Sequence, residues 1–194
     1  LKLASSLDGQ MALKSGESKW ITREPARFHS HWLRAHYDAV VVGRRTFQLD
    51  DPSLNIRHPD FRECLNKVVI LDPNGTVLPS LAKSKLLKVR PPQNVWVVTG
   101  LSGDEILAKD LGIRHLKMAL KPNRTFEIPA LLKELWSQGL RSLFVEGGAS
   151  TISAFLASHQ AQRLHLFLAP MLIGAHDGLS WTRDLPSHSL SEAL

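Results

Sequence analysis

The chain has 194 residues, 43% of them hydrophobic, enough for one substantial core, so a single domain over residues 1–194 is expected. Its formal charge of +6, from 24 Lys and Arg against 18 Asp and Glu, fits nucleic acid or small phosphorylated ligands. The basic residues are spread out, and with a single Tyr and no aromatic-rich basic motif a stacking platform for single strands is poorly supported. No run of about 18 apolar residues occurs, so no membrane-spanning helix is expected. One cysteine, Cys64, excludes an internal disulfide framework and favours a reducing compartment, the cytoplasm. The opening LKLASSLDG lacks an initiator Met, a charged n-region and an apolar h-region. No signal peptide is read there, and the chain is expected to begin part-way through a longer polypeptide.

In chain order, Leu1 to Leu7 alternates, with Leu1, Leu3, Ser5 and Leu7 on one face of a strand and Lys2, Ala4 and Ser6 on the other. Asp8-Gly9 signals a turn, and a short strand around Met11 to Leu13 follows. Ser15 to Thr22 is a polar loop holding the apolar pair Trp20-Ile21. Thr22 can cap a helix over Glu24 to His36, whose Phe28, Trp32 and Ala35 share one face. Continuous apolar runs at Ala39–Val42, Val68–Leu71, Val95–Val98 and Leu143–Val145 predict strands covered on both faces, and Arg163 to Pro170 ends the series. Helices fit at Ile128 to Gln138 and Ser150 to His159. Val89 to Asn94 reads as a loop, and the densest basic run, KSKLLKVR from Lys83 to Arg90, as a solvated face or loop. The fold class is α/β, a three-layer α/β/α domain around a mostly parallel sheet.

Two stretches carry chemistry. In VVVGRRTFQLDDPSLNIR, Val40 to Arg57, an apolar strand exits into three arginines and paired aspartates, more polar groups than a turn requires. In SLFVEGGASTISAFL, Ser142 to Leu156, a strand ends in Glu146, two glycines follow and a helix opens. Such glycines let a phosphate approach the backbone, where free N–H groups and the helix dipole favour its charge. A plain βα turn would look the same, but an acid closing an apolar strand needs a polar partner. Both stretches lie beyond strand ends, where open α/β sheets bind ligands. His29, His31 and His36 read as surface residues, since histidines at i and i+2 point to different sides of a helix.

LKLASSLDGQMA, SGESKWIT, LRAHYDAVVVGRRTFQLDDPSL, FVEGGAST and APMLIG occur in that order over about residues 1–175. Together they resemble the reductase domain of the bacterial bifunctional riboflavin-biosynthesis deaminase/reductase, and VGRRTF is also similar to a stretch of dihydrofolate reductases. The resemblance implies a dihydrofolate-reductase-like fold and NADPH-dependent reduction of 5-amino-6-(5-phosphoribosylamino)uracil. It implies substrate near Ser18, Arg34, Leu54, Arg57 and Glu146. It implies NADPH against Ala4, Trp20, Thr46, Asp50 and the turn and helix start of Gly148, Ala149, Ser150, Thr151, Ile152, Ser153 and Ala154. A homodimer is the implied assembly, with a zinc deaminase domain fused or separate. The deaminase signatures His-x-Glu and Pro-Cys-x-x-Cys do not occur, so no metal is expected here. The family's last strands, beyond SLSEAL, are expected to be missing.

Residue chemistry agrees with the resemblance. Arg34 and Arg57 suit a ribose phosphate, because a guanidinium fork binds phosphate oxygens bidentately. The alternative for Arg34 is a solvated helix arginine. Lys2 shares a face with Ala4, so a ligand at Ala4 would lie near its ammonium; an edge-strand lysine is the alternative. Trp20 reads equally as core or as a wall of the cofactor site, Asp50-Asp51 before Pro52 can be only a turn, and Arg44 or Arg45 could pair a 2′-phosphate. Hydride addition to an opened ribosylamine needs alignment, exclusion of water and one proton, for which Lys2 and Glu146 are the catalytic candidates. Competing readings are a reductase of the undeaminated diaminopyrimidinone phosphate or of a pterin, and a non-enzymatic binding domain.

Overall fold

The computed structural model describes residues 1–18, 21–61, 63–101 and 104–185. The chain divides into two compact units. One is Phe28–Phe144; the other is built from the described residues of Leu1–Arg27 and Val145–Leu194.

The first unit is organised by a sheet. Its strands are β3 (Ala39–Gly43), β4 (Lys67–Asp72), β5 (Val95–Thr99), β6 (Arg114–Lys117) and β7 (Leu143–Val145), in spatial order β6-β5-β4-β3-β7, with the unit division falling inside β7. The pairs β3–β4, β4–β5 and β5–β6 are parallel, with Val41 opposite Val69 and Val69 opposite Trp96. All five residues of β3 and of β5 are buried, which is why these segments read as unbroken apolar runs. Val40, Val42, Ile70, Val95 and Val97 form the core with Phe47, Leu78, Leu81 and Leu86. Register between β3 and β7 is reinforced at the strand entry. Asp38 accepts the backbone N–H groups of Arg141 and Ser142 at 2.7 and 2.9 Å.

The second unit holds β1 (Lys2–Ser6) parallel to β8 (His165–Ala169), and β2 (Gln10–Leu13) antiparallel to β9 (Gly178–Ser180). Helix α7 (Ala149–Ala157) belongs to it, burying Ala149, Ile152, Ser153 and Phe155.

The mostly parallel α/β architecture matches the sequence reading, and several local expectations need correction. Helix α1 is Glu24–Ala35, and its buried residues are Ser30, His31 and Leu33. The expected apolar face is not the buried one: Phe28 and Trp32 remain 46% and 39% exposed. They make ring contacts instead, Phe28 with His58 at 4.4 Å and Trp32 with His36 at 4.1 Å between centroids. β1 ends at Ser6, Leu7 is exposed, and Ser6 is buried rather than sharing the half-buried state of Lys2 and Ala4. Its hydroxyl bonds the Asp8 carboxylate and the Gln10 backbone, which accounts for a buried serine at the strand exit. Pro92–Asn94, read as loop, closes a 3₁₀ turn.

The polar exit after Val42 is a helix, α2 (Arg44–Asp50), entered directly from Gly43. The basic run Lys83 to Arg90 contains helix α4 (Lys85–Val89), with Leu86 fully buried. Its lysines are exposed, but Arg90 is only 4% exposed. The run is therefore not a solvated face throughout.

Candidate functional site

The strongest group in the Phe28–Phe144 unit forms where α1 meets the segment after α2. Asp51 caps α2 in the left-handed region at φ 39°, and Leu54 sits there again at φ 48°. Two non-glycine residues in that region within four positions make a tight, specifically held segment. It brings the Asn55 carbonyl against α1, where Arg34 donates to it at 3.0 Å and His31 Nδ1 lies 3.1 Å away. Arg57 Nε donates to His31 Nε2 at 3.2 Å. With its proton on Nδ1 the ring donates to the Asn55 carbonyl and accepts from Arg57 Nε at Nε2; the Arg57 backbone N–H, 3.3 Å from Nδ1, competes for that nitrogen. His31 is thus buried between two guanidinium-bearing segments and does not have the surface role its spacing suggested. Burial of His31 is invisible to a rule about helix sides; the signal available was its spacing of three from Arg34.

Of the expected substrate residues, the structure brings Arg34, Leu54 and Arg57 together here. Leu54 contributes a buried side chain and a shaped backbone. Arg57 is exposed, and its only bonds are to the imidazole, so it makes no ion pair among the described residues. A guanidinium held by a neutral ring keeps its charge and most of its donors for an incoming anion.

Thr46 and Asp50 lie on α2, half-buried and exposed respectively. Arg44 has an intramolecular partner: its Nε lies 3.9 Å from the carboxylate of Asp72, a fully buried residue that also accepts the Val77 N–H at 2.7 Å. Arg45 is exposed. The paired aspartates are not simply a turn: Asp50 ends α2 and Asp51 is its C-cap, accepting the Lys85 N–H at 3.0 Å.

In the second unit, Glu146 follows β7 half-buried, and Gly147 and Gly148 lead into α7. A Cβ on Gly147 would lie 2.6 Å from Thr151 Cβ, so the turn admits no side chain at that position. Gly148 is the N-cap of α7 and no side chain caps the helix there. Backbone close to the surface and an uncapped helix start fit a phosphate-bearing nucleotide. Ser150, on the first turn, donates to Asp184 at 2.8 Å, while Ser153 is buried and bonds the Trp181 carbonyl. Lys2 and Ala4 share the half-buried face of β1, opposite His165 and Phe167, and Lys2 Nζ stands 5.4 Å over the Phe167 ring. Ser18 is half-buried in irregular chain, and Trp20 lies outside the described residues.

The strand arrangement defines a class: an α/β protein with a mostly parallel sheet, in which the Arg44–Arg57 segment follows β3 and the Glu146–Gly148 turn follows β7. Comparison with known proteins narrows it. Residues 1–191 match the RibD C-terminal domain, and the chain belongs to that family. It is 38% identical over 175 residues to the riboflavin biosynthesis protein RibD of Bacillus amyloliquefaciens, covering 90% of this chain and 46% of that protein. Among solved structures it superposes on Acinetobacter baumannii RibD with a TM-score of 0.81 at 30% identity, covering 100% of this chain and 51% of that one. A Thermotoga maritima diaminohydroxyphosphoribosylaminopyrimidine deaminase/5-amino-6-(5-phosphoribosylamino)uracil reductase matches with a TM-score of 0.78 at 29% identity, over 100% and 49%. The chain spans about half the length of the curated relatives it matches. The dihydrofolate-reductase-like α/β fold implied by the sequence motifs is the fold of these reductase domains.

Proposed function

We propose that this chain is the reductase of a riboflavin-forming pathway, converting 5-amino-6-(5-phosphoribosylamino)uracil to its ribitylamino product with NADPH as hydride donor. The observation that carries this reading is the pair of arginines, Arg34 and Arg57, ordered on His31 and the Asn55 carbonyl in a member of the RibD C-terminal domain family. Two guanidinium groups held at the Asn55 carbonyl and the His31 ring suit the dianionic phosphate that distinguishes this substrate from its nucleoside.

Bound NADPH supplies the hydride that adds to C1′ of the substrate. The Gly147–Gly148 turn and the start of α7 would hold its phosphates, since both offer backbone without an intervening side chain. Arg34 and Arg57 bind the ribose phosphate and so fix where C1′ comes to rest. Ring opening of the ribosylamine gives an imine, and its reduction leaves the nitrogen one proton short. Lys2 and Glu146 are the candidates for that proton, directly or through water. We assign Glu146 chiefly to the sugar hydroxyls, because it follows β7 immediately before the glycine turn.

The test is steady-state oxidation of NADPH with the ribosylaminouracil phosphate, its undeaminated diaminopyrimidinone counterpart and a dihydropterin offered separately, each repeated with NADH. Turnover selective for the deaminated phosphate and NADPH supports the reading. Preference for either other substrate reassigns the reaction.

A further inference from the structure

Arg90 is the least exposed arginine among the described residues, and it lies outside the proposed phosphate clamp. Its guanidinium donates to the Leu54 carbonyl at 3.0 Å, to the Asn66 carbonyl, and to Asn66 Oδ1 at 3.4 Å. All of these acceptors are neutral, and its Nε has no hydrogen-bond partner. Burial, and next the charge of Arg34, lower its pKa to about 10, so it remains charged at neutral pH. A buried cation facing only neutral acceptors is a costly way to fill a core. What it holds gives the reason for its presence.

Leu54 is the buried residue with φ 48°, three positions before Arg57. Asn66 donates through Nδ2 to the Arg34 carbonyl at 3.0 Å. One guanidinium therefore ties the segment that presents Arg57 to the end of the helix that presents Arg34. The first residue of α4 makes a second tie, its N–H donating to Asp51, the other left-handed residue of the same segment. Helix α4 thus clasps residues 51–54 from both of its ends, with the buried grip at Arg90.

We propose that Arg90 is a positioning residue for the substrate phosphate: through Leu54 and Asn66 it sets the separation and orientation of Arg34 and Arg57 without touching the ligand. This rests on the reading of those two arginines as the phosphate clamp. The role needs a planar fork reaching two carbonyls, which a lysine ammonium cannot reproduce even though it keeps the charge.

Arg90→Lys and Arg90→Met are compared with wild type for KM and kcat on the phosphorylated substrate, KM on the dephosphorylated ribosylaminouracil, and NADPH affinity. Thermal unfolding establishes that each is folded. The expected result is a KM increase of roughly tenfold to a hundredfold in both variants, confined to the phosphorylated substrate, with NADPH affinity unchanged. Adding Arg57→Ala to either variant should give less than the product of the single effects, because both act through one clamp. A wild-type KM in folded Arg90→Lys, or equal losses on both substrates and on NADPH, overturns the proposal. Should neither Arg90 variant fold, Asn66→Ser, which removes the amide bonds to the Arg34 carbonyl and to Arg90 but keeps the backbone carbonyls that Arg90 grips, decides by the same selective KM. Arg34→Ala and Arg57→Ala run alongside separate the two claims. If those leave KM unchanged, the clamp reading falls; if they raise it and the Arg90 variants do not, only the positioning role falls.

Discussion

The two units of this chain use their strands differently. In Phe28–Phe144, β3, β4 and β5 are covered on both faces, and the candidate ligand groups hang on segments beyond the strands, held by Arg90, His31 and Asn66. In the other unit, β1 begins by alternating half-buried and buried positions and β8 half-buried and exposed ones, and Lys2 and Ala4 lie on the half-buried side of β1 itself. Leu166 and Leu168 of β8 are exposed. The core residues and the candidate ligand residues are thus separate in the first unit and neighbours on one strand in the second. The proposed means of recognition differ as well: guanidinium charge at Arg34 and Arg57 in the first, and the Gly147–Gly148 turn in the second.

The largest expected effect tests the contrast in packing. Ile70→Ala removes a fully buried side chain from β4 and should cost about 2–5 kcal/mol in chemical denaturation. Leu168→Thr, on the ribbon, should cost no more than about 0.5 kcal/mol. A larger loss at Leu168 would show that the ribbon is covered in solution and would break the comparison.

Next is the contrast in recognition. Gly147→Ala forces a methyl against Thr151 and should displace the turn, raising the Kd for NADPH by roughly ten- to a hundredfold, in line with an overpacking cost of about 1–3 kcal/mol. KM for the phosphorylated substrate should stay near its wild-type value. Isothermal titration with NADPH reads the first quantity and initial rates the second. Unchanged NADPH affinity would remove the backbone site from the account.

A smaller effect is expected at Glu146. Glu146→Gln keeps shape and most hydrogen bonding, so a positioning role predicts a raised KM and a fall of only a few-fold in kcat. A loss of about a hundredfold or more in kcat, with one limb of the pH profile gone, would assign it the proton instead.

The smallest is a pH effect at Asp38. Burial raises its pKa, but the N–H groups of Arg141 and Ser142, the Ser142 hydroxyl and the charge of Lys67 outweigh this and leave it lowered. A carboxylate with a depressed folded pKa stabilises the fold above its unfolded value, near pH 4, and loses that contribution as pH falls through the folded one. Wild type should therefore exceed Asp38→Asn in stability at neutral pH, with the gap closing below about pH 4. A gap independent of pH would mean that the strand-entry bonds do not depend on the carboxylate's charge.

Much of this was legible in the chain. Unbroken Val and Ile runs announced β3, β4 and β5, and Glu-Gly-Gly before a small-residue helix announced the turn at 146–148. Helix α2 was not legible, because it starts on two arginines straight after Gly43 with no capping side chain. Strand β6 reads Arg-His-Leu-Lys and buries only Leu116, so no apolar period marks it. Arg90 was hidden in a lysine-rich run whose other cations are solvated. Its distinction, an arginine directly after Leu86, Leu87 and Val89 and before two prolines, is one of context that charge patterning ignores. His31 was misjudged because helix periodicity places a residue on a side but does not say what covers that side.

The central claim is that the Phe28–Phe144 unit recognises its ligand through guanidinium charge. The most direct measurement is the KM of Arg57→Ala on the ribosylaminouracil phosphate and on its dephosphorylated form. Loss of a charge-assisted contact worth about 1.5–3 kcal/mol predicts a rise of roughly ten- to a hundredfold for the phosphate alone, with NADPH affinity kept. Equal KM changes for the two substrates, or none for either, would contradict it.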